Sequence, residues 1–281
     1  MKRTFTAALL LLLIFNTGLR DSPEINSIPP KHPPDITHVI SEDSLRIISY
    51  NIHHTNPPSK PGVIDISALI NILKKYPADI IALQEVDVNT GRSGKIHEAK
   101  LIADALGMHV FFGKAIDFDG GHYGIALLST LPLKDTQVLQ LPMDTSMNGE
   151  PRILLTASLT LTSGRTINIA CTHLDHQSDE SRKLQIAAIN EWAKMNKGPL
   201  LLAGDLNAEP GSNAIKLFDK VFSRTCTACP PTFPDINPDR TIDHIGFKKT
   251  TAIEVISHQV LPEPNASDHL PIRAVIRLSK D

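Results

Sequence analysis

The stretch Leu200–Asn207 reads LLLAGDLN: four small or apolar residues run into a glycine, a carboxylate and an amide. A short apolar run of this length bounded by turn residues is the signature of a buried strand. Taken alone, an aspartate or asparagine behind a strand is most often turn chemistry. The same ending recurs along the chain. Leu45–Tyr50 leads to Asn51, Ile80–Leu83 to Gln84 and Glu85, Ile167–Cys171 to Thr172 and His173, and Thr241-Ile242 to Asp243 and His244. Ser267-Asp268-His269 precedes a last apolar run, Ile272–Leu278. Six such coincidences are hard to assign to turns. Strand ends gathered along one sheet edge bring polar groups together, and ligand sites form there.

Helical segments are interspersed. Ile66, Leu69, Ile70 and Leu73 recur at helical spacing before Pro77, and Lys95–Leu106 ends at Gly107. Ser181–Met195 carries Leu184, Ala188, Trp192 and Met195 on one helical face. Met108–Phe112, Gly124–Ser129, Arg152–Leu161 and Thr166–Thr172 read as further strands. Many short strands with a few helices predict stacked sheets flanked by helices, in one domain over residues 43–279. Residues 1–20 read as a signal peptide or signal anchor: Lys2 and Arg3 precede the apolar stretch Ala7–Phe15, which is short for a membrane span. Residues 21–42, with five prolines between Pro23 and Pro34, read as an extended linker.

The formal charge of −2 gives no broad attraction to a polyanion. Cys226 and Cys229 form a lone CxxC without the second ligand pair of a zinc ribbon. A local disulfide and two unpaired loop thiols are both compatible with it. Cys171 reads as a small core residue. Asn51, Glu85, Asp205, Asn207 and Asp268 offer hard oxygens or amides, which suit Mg²⁺, with Mn²⁺ as a substitute, better than zinc. His173 and His269 can carry a proton near neutral pH, and Asp243 can orient one of them. Neither GxxxxGK[ST] nor GxSxG occurs.

With these residues in view, the chain resembles the endonuclease/exonuclease/phosphatase superfamily, whose fold is that of pancreatic deoxyribonuclease. The resemblance rests on SYNIHH (Ser49–His54), LQEVD (Leu83–Asp87), YGIALLS (Tyr123–Ser129), EPR (Glu150–Arg152), THLD (Thr172–Asp175), GDLN (Gly204–Asn207), TIDHI (Thr241–Ile245) and SDHLP (Ser267–Pro271). They stand in the family's order. The resemblance implies an α/β (α+β) four-layer sandwich of two packed mixed β-sheets flanked by helices. It implies Asn51, Glu85 and Asp268 as metal residues, with Glu85 the firmest. It implies Asp205 as the group acting on the attacking water, Asn207 as the amide holding the phosphate, and His269 with its partner Asp243 and His173 as the histidines at the phosphate. Arg92 resembles a substrate contact, a solvated turn arginine being the other reading. His53 and His54 either line the pocket or cap the strand, and Glu150 with Arg152 reads as a support pair.

The expected activity is divalent-metal-dependent hydrolysis of a phosphoester, most simply a phosphodiester, outside the cytoplasm. The substrate would be a nucleic acid, a phospholipid head group or a small phosphate ester. A monomer is expected, and no protein partner is implied. An extracellular nuclease and a non-catalytic phosphate-binding module on the same fold are the alternatives.

Overall fold

The computed structural model describes residues 44–144 and 149–279. Compactness divides the chain between Thr37 and His38, and every described residue belongs to the second unit. The expected signal segment and linker lie outside the described residues. Among the described residues no helix is long and apolar enough to cross a membrane.

Two six-stranded sheets form the body of this unit. The first contains β1 (Ser44–Asn51), β2 (Ile80–Val88), β3 (His109–Phe118), β4 (Gly121–Ser129), β11 (Ile253–Val260) and β12 (Ile272–Leu278), in the order β11-β12-β1-β2-β4-β3. The second contains β5 (Lys134–Gln140), β6 (Ile153–Thr160), β7 (Thr166–His173), β8 (Leu200–Asp205), β9 (Phe222–Arg224) and β10 (Asp243–Lys248), in the order β5-β6-β7-β8-β10-β9. Each sheet has one parallel pair at its centre, β1 with β2 and β7 with β8; the other pairings are antiparallel. A parallel pair needs a crossover, and helices supply it. α1 (Ile66–Lys75) joins β1 to β2, and α3 (Asp179–Met195) joins β7 to β8.

The layering follows from the alternation of side chains along each strand. Leu45, Ile47, Ile80 and Ala82 of the first sheet meet Ile153, Leu155, Leu201 and Ala203 of the second in one apolar cluster, so the sheets pack face to face. Their neighbours Ile48, Tyr50, Ile81 and Leu83 point outward onto Leu69, Ile72 and Leu73 of α1 and Ala99 and Ile102 of α2 (Glu98–Leu106). Leu200 and Leu202 likewise meet Ile186, Ile189 and Ala193 of α3, with Ala214 and Phe218 of α4 (Asn213–Phe218). Both faces of the central strands are thus covered, which is why they read as continuous apolar runs. The four-layer sandwich is the expected fold.

Two local expectations are corrected. The buried face of α3 is Gln185, Ile186, Ile189, Asn190 and Ala193, whereas Leu184 and Met195 are exposed, Met195 at 75%. Two buried polar groups disguise that face. Gln185 Oε1 accepts from Asp175 N at 3.0 Å, and Asn190 Nδ2 donates to Leu217 O at 2.8 Å. Helix α2 begins at Glu98 rather than Lys95, with His97 Nδ1 capping Lys100 N, and it stops at Gly107 with φ 66° as expected. The sequence reading passes over β5, β9 and β11. β9 has three residues, edge strand β5 is exposed along most of its length, and the alternation of edge strand β11 is broken by a bulge between Val255 and Ser257.

Candidate active site

The parallel pairs run the same way into one end of the sandwich. Asn51 ends β1, Glu85 sits within β2 where its pairing with β4 slips, and His173 and Asp205 close β7 and β8. Asp243 opens β10 directly opposite Asp205 in the antiparallel register, and His269 arrives on the loop before β12. Gly204 permits the close pairing of β7 and β8: a Cβ there would stand 2.0 Å from the Thr172 carbonyl oxygen.

Asp205 is the hub. Its Oδ1 accepts from Asn207 N at 2.8 Å, and its Oδ2 accepts from Asn51 Nδ2 at 3.1 Å. The same Oδ2 lies 3.5 Å from His173 Nε2 and 3.7 Å from His269 Nε2. Burial, reinforced by the charge of Asp243, raises the Asp205 pKa to about 7 against the pull of His269 and its hydrogen bonds. His269 Nδ1 donates to Asp243 Oδ2 at 2.9 Å, and Phe233 packs against its ring at 4.8 Å. Burial opposes the imidazolium, but the charge and hydrogen bond of Asp243, helped by Asp205 and Asp268, raise its pKa to about 10. His173 behaves oppositely. Burial first, then Arg152 and His269, hold it well below its ordinary value, so the ring is neutral. Arg152 Nη1 donates to its Nδ1 at 3.2 Å, which leaves the proton on Nε2, facing Asp205.

Glu85 occupies the rim. The β2–β4 register slips between Leu83 and Val86, and Glu85 has φ 57°. This bulge turns Gln84 inward, where it bonds Cys171 Sγ at 3.3 Å, and re-aims Glu85 to the pocket edge. Glu85 Oε1 accepts from Asn51 Nδ2 at 3.0 Å, and Oε2 faces His54. A carboxylate with one free oxygen at the mouth fits a divalent cation. Asn51 presents nitrogen to both carboxylates, while its Oδ1 accepts from His53 N at 3.1 Å. Ligation by Asn51 therefore requires its amide to turn over.

Beneath the rim, Glu98 is fully buried. Its Oε2 accepts from Asp87 N at 2.7 Å, and its Oε1 is paired with the Thr55 hydroxyl at 3.0 Å, which ties β2 to the turn after β1. Burial raises its pKa from 4.5 to about 8. Between those values the folded chain holds a proton that the unfolded chain has lost, so Glu98 makes stability fall as pH rises. Glu98→Gln, uncharged and similar in shape, should gain stability over the wild type between pH 5 and pH 8 in urea unfolding. Glu98→Ala should lose about 1–3 kcal/mol, the cost of leaving the Asp87 N–H or the Thr55 hydroxyl unpaired. Parallel pH profiles for wild type and Glu98→Gln would remove Glu98 from this role.

The other expected residues fall as follows. Asn207 has φ 47°, and its Nδ2 donates to Leu174 O at 3.1 Å beside Asp205. Asp268 accepts from Ser267 Oγ at 3.3 Å and belongs to neither group of clustered potential ligands among the described residues. Arg92 commits the Nε–Nη2 edge of its guanidinium to both oxygens of Asp87, at 2.7 and 2.9 Å, and lies over Phe118, so it orders the loop behind Glu85. Glu150 pairs with the buried Arg152 at 2.9 Å, as a support pair does. His244 is a structural residue, bonded to Ala208 O at 2.8 Å. Cys226 and Cys229 are disulfide-bonded, and Cys171 is buried in the core. Sequence reasoning missed Ser267 and Glu98. Ser267 Oγ donates to Asn51 O at 2.7 Å and pins the His269 loop to β1, a long-range contact without a local signal.

Comparisons with known proteins agree with the fold. A protein of Escherichia coli strain K12, uncharacterized protein YbhP, is 25% identical over 252 residues, covering 84% of this chain and 97% of its own length. The crystal structure of an endonuclease/exonuclease/phosphatase from Beutenbergia cavernae DSM 12333 superposes with a TM-score of 0.71 at 23% identity, over 84% of this chain and 72% of that one. A mannosyl-6-phosphatase of Bacteroides thetaiotaomicron VPI-5482 superposes with a TM-score of 0.67 at 18% identity, over 83% and 99%. The model of the Endonuclease/Exonuclease/phosphatase family matches residues 48–269, from the middle of β1 to the histidine beside Asp205, and the chain belongs to that family.

Proposed function

We propose that this chain hydrolyses phosphodiesters outside the cytoplasm with the help of a divalent cation held at Glu85. The observation that carries the reading is Asp205, a buried carboxylate facing two histidines of opposite protonation. With a pKa near 7, Asp205 can take a proton from water as that water attacks phosphorus. His269, held by Asp243, keeps a proton on Nε2 and presents positive charge to the phosphoryl oxygens. His173 offers a neutral N–H from the other side. Asn51 holds Glu85 and Asp205 in register. A cation at Glu85 supplies Lewis-acid polarisation and charge neutralisation, chemistry that these side chains lack.

The phosphodiester preference and the metal are tested together. The full chain should release nitrophenol from bis(p-nitrophenyl) phosphate with Mg²⁺ or Mn²⁺, and excess EDTA should remove at least about 10²-fold of the rate. EDTA-resistant turnover would contradict the metal. The mannosyl-6-phosphatase with the same fold makes p-nitrophenyl phosphate the natural control, and faster cleavage of that monoester would reassign the substrate class. Lys2 and Arg3 before Ala7–Phe15, together with the Cys226–Cys229 disulfide, support export. Activity confined to the cytosolic fraction of the producing cell would refute that part.

A further inference from the structure

The turn after β1 does more than line the pocket. His53, His54 and Thr55 have φ of 45°, 40° and 53°, a left-handed turn built without glycine, and Glu85 opposite has φ 57°. Such backbone is costly for these residues and persists where surrounding structure over-determines it. Here Thr55 is held through its hydroxyl by Glu98 and through its carbonyl by Asp65 N at 2.8 Å, while Asn56 N donates to His53 O at 2.9 Å. The strained residues are the ones that converge. One potential ligand atom from each of His53, His54 and Glu85 lies within 4.8 Å of the other two.

Two details point to a cation rather than to a hydrogen-bonded cluster. His53 Nδ1 stands 2.8 Å from the Asn56 carbonyl oxygen, which accepts only from a protonated nitrogen, so His53 keeps its lone pair on Nε2. His54 Nδ1 is buried without a hydrogen-bond partner, and Glu85 Oε2 lies 4.0 Å from it. That gap is too long for a hydrogen bond. It is within the span of about 4.3 Å that two ligands can keep on one ion at bonds of about 2.0–2.2 Å.

We propose that His53, His54 and Glu85 form an imidazole–carboxylate site that binds a first-row transition ion of the Mn²⁺–Zn²⁺ class in preference to Mg²⁺. The inference rests on Glu85 as the metal-bearing carboxylate of the proposed reaction, and it names the ion. Imidazole nitrogen is a good ligand for these borderline ions and a poor one for Mg²⁺, which demands oxygen.

The test uses the metal-stripped full chain and Mn²⁺ itself. Binding is followed by the paramagnetic resonance of free Mn²⁺, and the bound ion is read by electron spin-echo modulation, which detects coordinated nitrogen. The wild type should show ¹⁴N modulation and bind Mn²⁺ at least about ten-fold more tightly than Mg²⁺. The double variant His53→Asn/His54→Asn suits the left-handed backbone, which asparagine tolerates. It should lose the modulation and bind Mn²⁺ about 10–100-fold more weakly. Wild-type Mn²⁺ without nitrogen modulation, or modulation that survives in the double variant, overturns the proposal. The first of these needs no mutant to fold. Nitrogen-bound Mn²⁺ in a protein that cleaves no phosphoester would keep the site and sink the hydrolase reading. Mg²⁺-driven turnover with nitrogen-free Mn²⁺ would do the reverse.

Discussion

Asp205→Asn should lower kcat on a phosphodiester by about 10²–10⁴-fold, the range for loss of a positioned general base. The substitution is nearly isosteric, and Oδ1 can still accept from Asn207 N. What changes is the atom at the Oδ2 position. An amide there no longer accepts a proton from water, and as a donor it opposes both Asn51 Nδ2 and the proton on His173 Nε2. Removing a buried carboxylate that costs free energy to ionise should leave stability near or above that of the wild type at pH 8. Lost activity with retained Tm is therefore the expected pair of results. A variant turning over within about three-fold of wild type would displace Asp205 from catalysis.

His269→Asn should lower kcat by about 10²–10³-fold, as when one charged donor to a developing oxyanion is removed. Asparagine is the informative replacement because its Nδ2 can still donate to Asp243 Oδ2 while nothing reaches the place of Nε2. His269→Ala is a harsher change. It strands Asp243, buried and already carrying one oxygen without a hydrogen-bond partner, and breaking a buried pair this way costs about 3–5 kcal/mol. Comparing the two variants by urea unfolding separates the catalytic loss from the structural one. Asp243→Asn in the His269→Asn background should cost little further activity, since Asp243 acts through His269. Strictly multiplicative losses would contradict that coupling.

The legible parts of this protein were those with a local signal. Asp205, Glu85 and His173 each follow an apolar run, and helices α1 and α2 carry their period and stop signals in the chain. The illegible parts were of two kinds. Edge strand β5 is exposed along nearly its whole length, and the alternation of edge strand β11 is broken by a bulge between Val255 and Ser257, so neither carries a sustained apolar period. Helix α3 hides its buried face behind Gln185 and Asn190, whose polarity is satisfied by distant backbone.

The opening stretch, Leu200–Asn207, shows where the division falls. By itself the sequence determined that an apolar strand ends there in a carboxylate, and that five other strand or loop segments carry comparable groups in a family's order. Strand identity depends on side-chain period and turn residues, which are properties of neighbours along the chain. Only the tertiary structure decided what each group does. It protonates His269, which meets Asp243, and leaves His173 neutral through burial first and the neighbouring Arg152 second. It gives Arg92 to Asp87 and brings His53 and His54 beside Glu85 through three left-handed residues. Arg92 and Asp87 are only five residues apart, but the other charge states and partners depend on burial and on groups tens of residues away, and those distances exist only once the chain has folded.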